Sequence, residues 1–230
     1  MNTTSLLFPL AGYLLGSIPF GLLIGLAKGV DVRKAGSGNI GSTNVGRLLG
    51  KKWGYICFFL DVAKGLLPVL LAGHYLKRTY SGSGPMPLPV QWLWLAVAAG
   101  CILGHMFSLY LGFKGGKGVA TSLGVILGIW PYFTLTGLLV FGIWLAIWAI
   151  WRYVSLASII AALSFPAVFT LMTFLHPDWH LASLWPLLAF STLIALLVVL
   201  RHRPNIRRLL AGTESRGRSK KGNLETLDAK

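Results

Sequence analysis

Residues 36–44 read "GSGNIGSTN", with Gly36, Gly38 and Gly41 at the glycine positions of a dinucleotide-binding fingerprint. Glycines at this spacing let backbone N–H groups turn toward an anion. The hydroxyls of Ser37, Ser42 and Thr43 and the amides of Asn39 and Asn44 add donors. Arg47, just beyond, supplies a planar guanidinium able to bind phosphate oxygens in bidentate fashion. The fingerprint means a dinucleotide site only between a strand and a helix. Here a long apolar run precedes it, so the phosphate-cradling physics carries over and the dinucleotide does not.

A second stretch, "GFKGGKGVAT" at 112–121, sets Lys114 and Lys117 among Gly115, Gly116 and Gly118, directly before a helix start whose dipole favours an anion. Gly118 stands where a Walker A sequence needs Ser or Thr after the lysine, so a nucleotide-driven pump is not indicated. "RYVSLAS" at 152–158 places Ser155 and Ser158 on the first turn of a helix, where simple capping is the competing reading. "RHRPNIRRLLAGTE" at 201–214 carries His202, Asn205 and Glu214 among four arginines, and would equally suit a basic helix lying on anionic lipid. The histidines and cysteines show no close ligand spacing, so neither a metal nor a cofactor is expected.

The elements that must position these residues are membrane helices. The chain is 55% apolar and 12% charged, and its apolar residues come in blocks too long for a soluble domain of 230 residues. Spans are expected at about 5–27, 53–76, 90–111, 119–130, 132–151, 154–175 and 184–200. The fold expected is thus an all-α integral membrane protein of about seven helices. No Lys or Arg precedes the first block, so it reads as a retained helix rather than a cleaved signal. The segment 119–151 is too long for one crossing and too short for two full ones; Pro131 is its natural break, with one or both halves short or tilted.

Eighteen of the 21 Lys and Arg fall in 28–52, in 112–118, at Arg152 and from Arg201 onward. By the positive-inside rule these regions are cytoplasmic, with the N-terminus periplasmic and the C-terminus inside; Lys77 and Arg78 then belong to a short outer loop. The net charge of +15 therefore reports topology, and without interleaved exposed aromatics it does not point to nucleic acid. Residues 1–214 read as one transmembrane domain, and 215–230 as a polar, disordered cytoplasmic tail against lipid headgroups. Gly12 with Gly16, Gly21 with Gly25 and Gly124 with Gly128 have the spacing that lets helices approach closely in lipid. Asp61 and Lys64, three apart inside a span, are expected to neutralise one another as a structural pair, while His105 sits near the lysine loop. Cys57 and Cys101 lie inside apolar blocks and argue for no disulfide framework.

All the polar stretches thus gather at the inner interface, dense in Lys, Arg, hydroxyls and backbone N–H. Anion transporters hold their sites near the midplane on broken helices. An interfacial site suits instead a reaction between a soluble phosphate compound and a lipid-borne partner. A transporter of phosphorylated metabolites is the alternative, and a non-catalytic scaffold a third reading.

Three stretches, "GSGNIGSTNVGR" (36–47), "LGHMFSLYLGFKGGKGVAT" (103–121) and "RHRPNIRRLLAGTE" (201–214), resemble in order and spacing the three cytoplasmic motifs of the bacterial acyl-phosphate:glycerol-3-phosphate acyltransferase family. The sequence departs where Ile40 and Ser42 replace an expected Pro and Ala, where Ser108 replaces Pro, and at Pro204, whose missing N–H is expected to shift the third motif's backbone. The resemblance implies acyl transfer from acyl phosphate to the sn-1 hydroxyl of glycerol 3-phosphate, giving lysophosphatidic acid and phosphate. That is the first acylation of phospholipid synthesis, at the bacterial inner membrane. It implies membrane lipids as surroundings and contact with the enzyme that makes acyl phosphate. Carried over by motif, Ser37, Arg47, Lys117, His202 and Asn205 are the expected catalytic residues; Gly38, Asn39, Thr43, Asn44, Lys114, Gly115, Gly116, Ser155 and Glu214 are expected to bind substrate or phosphate. Glu214 is expected to brace the arginines of its own segment rather than take a proton.

Overall fold

The structure, a computed structural model, describes residues 3–80 and 86–216, and among these it is helical with no strand. The elements are α1 (Leu7–Ser17), α2 (Phe20–Ala27), α3 (Ser42–Leu49), α4 (Lys51–Tyr80), α5 (Leu88–Met106), α6 (Val119–Gly128), α7 (Tyr132–Trp151), α8 (Val154–Leu175), α9 (Leu181–Arg201) and α10 (Arg203–Leu210). Among the described residues six segments are long and apolar enough to cross a membrane, so this is a multi-pass membrane protein. The seventh expected span, α6, has only 10 residues. At 1.5 Å per residue it is about 15 Å long, half the hydrocarbon thickness. Pro131 does separate it from α7, which keeps full length at 20 residues.

Two further expectations are refined. The first span stands at Leu7–Ala27 but is broken into two helices at Ile18–Pro19, where Pro19 supplies no N–H. The Ile18 carbonyl at the break accepts a hydrogen bond from Lys64 Nζ at 2.7 Å, so the lysine that pairs with Asp61 also satisfies the broken helix. Lys77 and Arg78, expected in a loop, continue α4 as its last turn, where cations meet the negative end of the helix dipole. Residues 81–85 of the loop expected on the outer side lie outside the described residues, as does the tail from 217 onward.

The centre is α5, flanked by α1, α4, α6 and α9. Leu95, Cys101, Ile102 and Met106 are essentially inaccessible, and Cys57 and Cys101 are both free and buried. Close approach explains the glycines. A Cβ on Gly12 would stand 2.8 Å from the Val97 carbonyl and one on Gly100 2.5 Å from that of Pro9, so α1 and α5 touch backbone to backbone. Gly124 of α6 sits against the Val62 carbonyl of α4 in the same way. Gly21 and Gly25 admit the connection after α2 instead of a helix: a Cβ on Gly21 would strike the Ile40 carbonyl, and one on Gly25 would come 2.6 Å from Val30 O.

Candidate active site

One cavity of about 770 Å³ joins all the polar stretches, although their residues lie up to 178 positions apart in sequence, from Gly36 to Glu214. Ser37, Asn39, Thr43 and Arg47 reach it from the first loop and α3; Lys117 from the glycine loop; Ser155 from the first turn of α8; His202 from the α9–α10 junction, Asn205 from α10 and Glu214 from the segment after it. A smaller polar cavity of about 400 Å³ adjoins it, sharing Ser37, Asn39, Lys117, Asn205 and Arg208 and adding Arg203.

The first loop is built by Asn44. Its Oδ1 accepts from the Ser37 amide at 2.9 Å, and its Nδ2 donates to the carbonyls of Val32, Ala35 and Asn39. Both ends of the amide are consumed, so Asn44, expected to bind phosphate, instead ties the loop. Gly38 is also corrected: at φ +68 it closes a turn, its N–H bound to the Ala35 carbonyl, outside the cavity lining. Asn39 spends its Oδ1 on the Gly41 amide while still lining the cavity. Arg47, on the last turn of α3, has no hydrogen-bond or ion-pair partner among the described residues, and so remains available to an anion.

The glycine loop works by the same division. Gly115 and Gly116 donate their N–H groups to the Met106 and His105 carbonyls, and Arg201 holds their own carbonyls at 2.8 to 3.1 Å. Their amides therefore cannot cradle phosphate as expected; a Cβ on Gly116 would strike the His105 ring, which is why no larger residue fits. Lys114 is exposed and lines neither cavity. What this clamp delivers is Lys117 and the α6 N-terminus, with Gly118 at φ +84 and Val119 and Ala120 lining the cavity. Burial, with Arg208 and Arg47 adding to it and Glu214 opposing, pulls the Lys117 ammonium down to about 8.

At the α9–α10 junction His202 is 2% exposed. Its Nδ1 lies 2.8 Å from the Val198 carbonyl, which fixes Nδ1 as the protonated nitrogen and leaves Nε2 an acceptor. Burial pulls its pKa down to about 4, the carbonyl opposing, so the ring is neutral near pH 7. Glu214 accepts from Ser155 Oγ and Asn205 Nδ2 at 2.7 Å and from Arg208 Nε at 2.7 Å. Burial raises its carboxyl, but these donors outweigh it and hold it below its ordinary value. Ser155 thus ties α8 to the C-terminal segment and does not cap its helix. Asn205 lines both cavities, and its Oδ1 is buried with no hydrogen-bond partner among the described residues. Pro204 occupies the first turn of α10, where no N–H is needed.

Sequence reasoning passed over Arg208 and Arg201 as individuals; each was one of four arginines in a basic run, with nothing to mark its partner. It also set the Asp61–Lys64 pair apart from the site. The pair closes at 2.8 Å, His105 Nδ1 comes within 3.6 Å of Asp61 Oδ1, and Asp61 and His105 both line the cavity.

Below this polar end the cavity turns apolar and continues between α6, α7, α8 and α9, lined by Ile126, Val140, Ala161, Ala162 and Ile194 among others. One cavity therefore offers anion-binding groups at the loops and an apolar groove running along the helices.

Comparison with known proteins agrees with this geometry. A family model described as glycerol-3-phosphate acyltransferase matches residues 6–212. A glycerol-3-phosphate acyltransferase of Trichlorobacter lovleyi is 48% identical over 93% of this chain and 98% of its own length. One of Aquifex aeolicus is 44% identical over 89% and 94%. The crystal structure of PlsY, an integral membrane glycerol 3-phosphate acyltransferase, in its glycerol 3-phosphate form matches with a TM-score of 0.77 at 42% identity, covering 97% of this chain and 98% of that one. A second structure holds the lysophosphatidic acid form and matches with a TM-score of 0.75 at 41% identity, over 93% and 95%. A loop set converging on one half-polar, half-apolar cavity and a match that runs nearly end to end lead to one statement: the chain belongs to the glycerol-3-phosphate acyltransferase family.

Proposed function

We propose that this protein transfers a fatty acyl group from acyl phosphate to the sn-1 hydroxyl of glycerol 3-phosphate, releasing lysophosphatidic acid and inorganic phosphate. The observation that carries the reading is the single cavity with cations and hydroxyls at one end and an apolar groove at the other. Both substrates present phosphate, and one also presents an alkyl chain; holding them together converts a bimolecular step into a local one. The hydroxyl oxygen attacks the carbonyl carbon of the mixed anhydride, the carbon–oxygen bond to phosphate breaks, and phosphate leaves with the electron pair. Lys117 and Arg47, with the first-turn amides of α6, hold phosphate and stabilise charge growing on the leaving group. Asn205 Oδ1 and His202 Nε2 accept from glycerol hydroxyls and aim the nucleophile; Ser37 and Thr43 add hydroxyl donors. A His202 with a pKa of about 4 is a weak base, whereas a phosphate monoester has a second pKa of about 6. The proton therefore goes to a substrate phosphate oxygen. Glu214 positions Ser155, Asn205 and Arg208.

The same proposal includes seven crossings, with α6 as a short one, the N-terminus periplasmic and the loops on the cytoplasmic face of the bacterial inner membrane. It also includes residues 1–214 as one domain and supply of acyl phosphate by a contacting enzyme. The decisive assay gives purified, detergent-solubilised protein labelled glycerol 3-phosphate with acyl phosphate, acyl-CoA or acyl-carrier-protein thioester, without metal. Lysophosphatidic acid from acyl phosphate alone is expected. Counterflow of glycerol phosphate in proteoliposomes without any acylation would favour the transporter.

A further inference from the structure

The apolar groove has an end. On α8 its lining runs Ser155, Ser158, Ala161, Ala162 and stops at Phe165; on α9 it runs from His202 back to Phe190. Ten residues of helix separate Ser155 from Phe165 and twelve separate His202 from Phe190, so the floor lies about 15 to 18 Å from the polar end. The floor itself is aromatic. Phe133 of α7 meets Phe165 edge-on at 5.1 Å and lies near-parallel to Phe190 at 6.2 Å. Behind it stands Phe169, 0% exposed, at 5.5 Å, and behind that Trp179 at 6.4 Å, itself against Tyr132 at 5.1 Å. Phe169 and Trp179 do not line the cavity, so the plug is solid where the groove stops. Along the walls, Gly137, Ala161 and Ala162 are small and leave width between larger neighbours such as Ile126, Phe141 and Ile194. The hydroxyls of Ser158 and Ser191 are bound to the Val154 and Leu188 carbonyls of their own helices, so the wall they form has no free donor to offer.

We infer that Phe133, Phe165 and Phe190 form a chain-length stop, which sets how long an acyl group the site accepts with its carbonyl at the polar end. The inference rests on the reaction assigned above. A saturated chain that fits ends against the rings; a longer one must bend out of the groove or lift its carbonyl from the phosphate-binding groups, and loses turnover. A methylene that fits or misfits an apolar pocket changes discrimination by about tenfold or more.

The test measures kcat/KM for myristoyl, palmitoyl and stearoyl phosphate with labelled glycerol 3-phosphate, for the unsubstituted protein, Phe165→Ala and Ala161→Leu. Phe165→Ala deepens the groove and is expected to raise the stearoyl-to-myristoyl ratio about tenfold. Ala161→Leu projects into empty space partway along and is expected to lower it. Because Phe165 is a packed core side chain, Ala161→Leu carries the test alone if the alanine variant fails to purify as a monodisperse species. Folded variants whose ratios match the unsubstituted protein would overturn the stop while leaving the reaction intact. An unsubstituted protein inert toward all three acyl phosphates would overturn the reaction itself.

Discussion

At the scale of residues, the site separates groups that hold the loops from groups left for substrate. Asn44, Gly115 and Gly116 were expected on phosphate by residue type, yet their hydrogen-bonding capacity is spent internally. Lys117 and Arg47 have the complementary character, cations in a cavity with no counter-ion in contact. A lysine pulled down to about 8 by burial is charged below that pH and neutral above it. In the free protein, kcat/KM for glycerol 3-phosphate is therefore expected to fall on the alkaline side with an apparent pKa near 8. Lys117→Arg, whose guanidinium stays charged, is expected to move that limb upward even if it lowers the maximum. An alkaline limb unmoved in the arginine variant would take the phosphate role away from Lys117. His202, neutral down to about 4, contributes no limb near neutrality; the acid limb belongs to the phosphate, with its second pKa of about 6.

At the scale of elements, the short helix α6 decides where Lys117 goes. It is clamped at its loop end by Arg201 through Gly115 and Gly116, and held on α4 by glycine contacts. Gly124→Val would drive a Cβ into the Val62 carbonyl, and backbone cannot rotate away as a side chain can. Overpacking of this kind costs about 1–3 kcal/mol or more. Thermal unfolding in detergent is expected to come earlier, and turnover to fall further than stability does, because the whole helix and its N-terminus shift. Gly142→Ala on α7, where a Cβ meets nothing within 4 Å, is the control and should leave both unchanged. Equal melting of the two variants would show that α6 is not held at Gly124. That 119–151 is too short for two full crossings was legible, with Pro131 as its break; which half would be the short one was not, since the apolar run continues through Ile129 and Trp130 while the helix ends at Gly128.

At the scale of the molecule, the orientation that charge predicts is open to direct labelling. Cys57 and Cys101 are buried, so single-cysteine proteins are built by replacing them with Ala and introducing Cys at exposed Arg78 or Lys114. Arg78→Cys is expected to react with a membrane-impermeant thiol reagent on intact cells, and Lys114→Cys only after permeabilisation. The reverse pattern would invert the topology.

The helical, membrane-spanning character of the chain was legible from sequence because apolar length is a local property, read directly against the thickness of a bilayer. Phosphate-type chemistry was legible too, since Gly, Lys, Arg and hydroxyl residues in short runs declare it without knowing what they face. The Asp61–Lys64 pairing likewise follows from a spacing of three on a helix. What only the tertiary structure decided is which of these groups remain unspent. Asn44 and Asn205 are the same residue type, each in a motif; one has both ends of its amide bound within its loop, while the other keeps a buried oxygen with no hydrogen-bond partner among the described residues. Arg208 and Arg201 look interchangeable in a basic run, yet one holds Glu214 and the other the glycine loop. The aromatic floor was hidden for the same reason: Phe133, Phe165 and Phe190 come from three helices, and no one-dimensional period brings them together. Residue type sets what a side chain can bind, but hydrogen-bond capacity is finite, and long-range packing determines what is left over for a substrate.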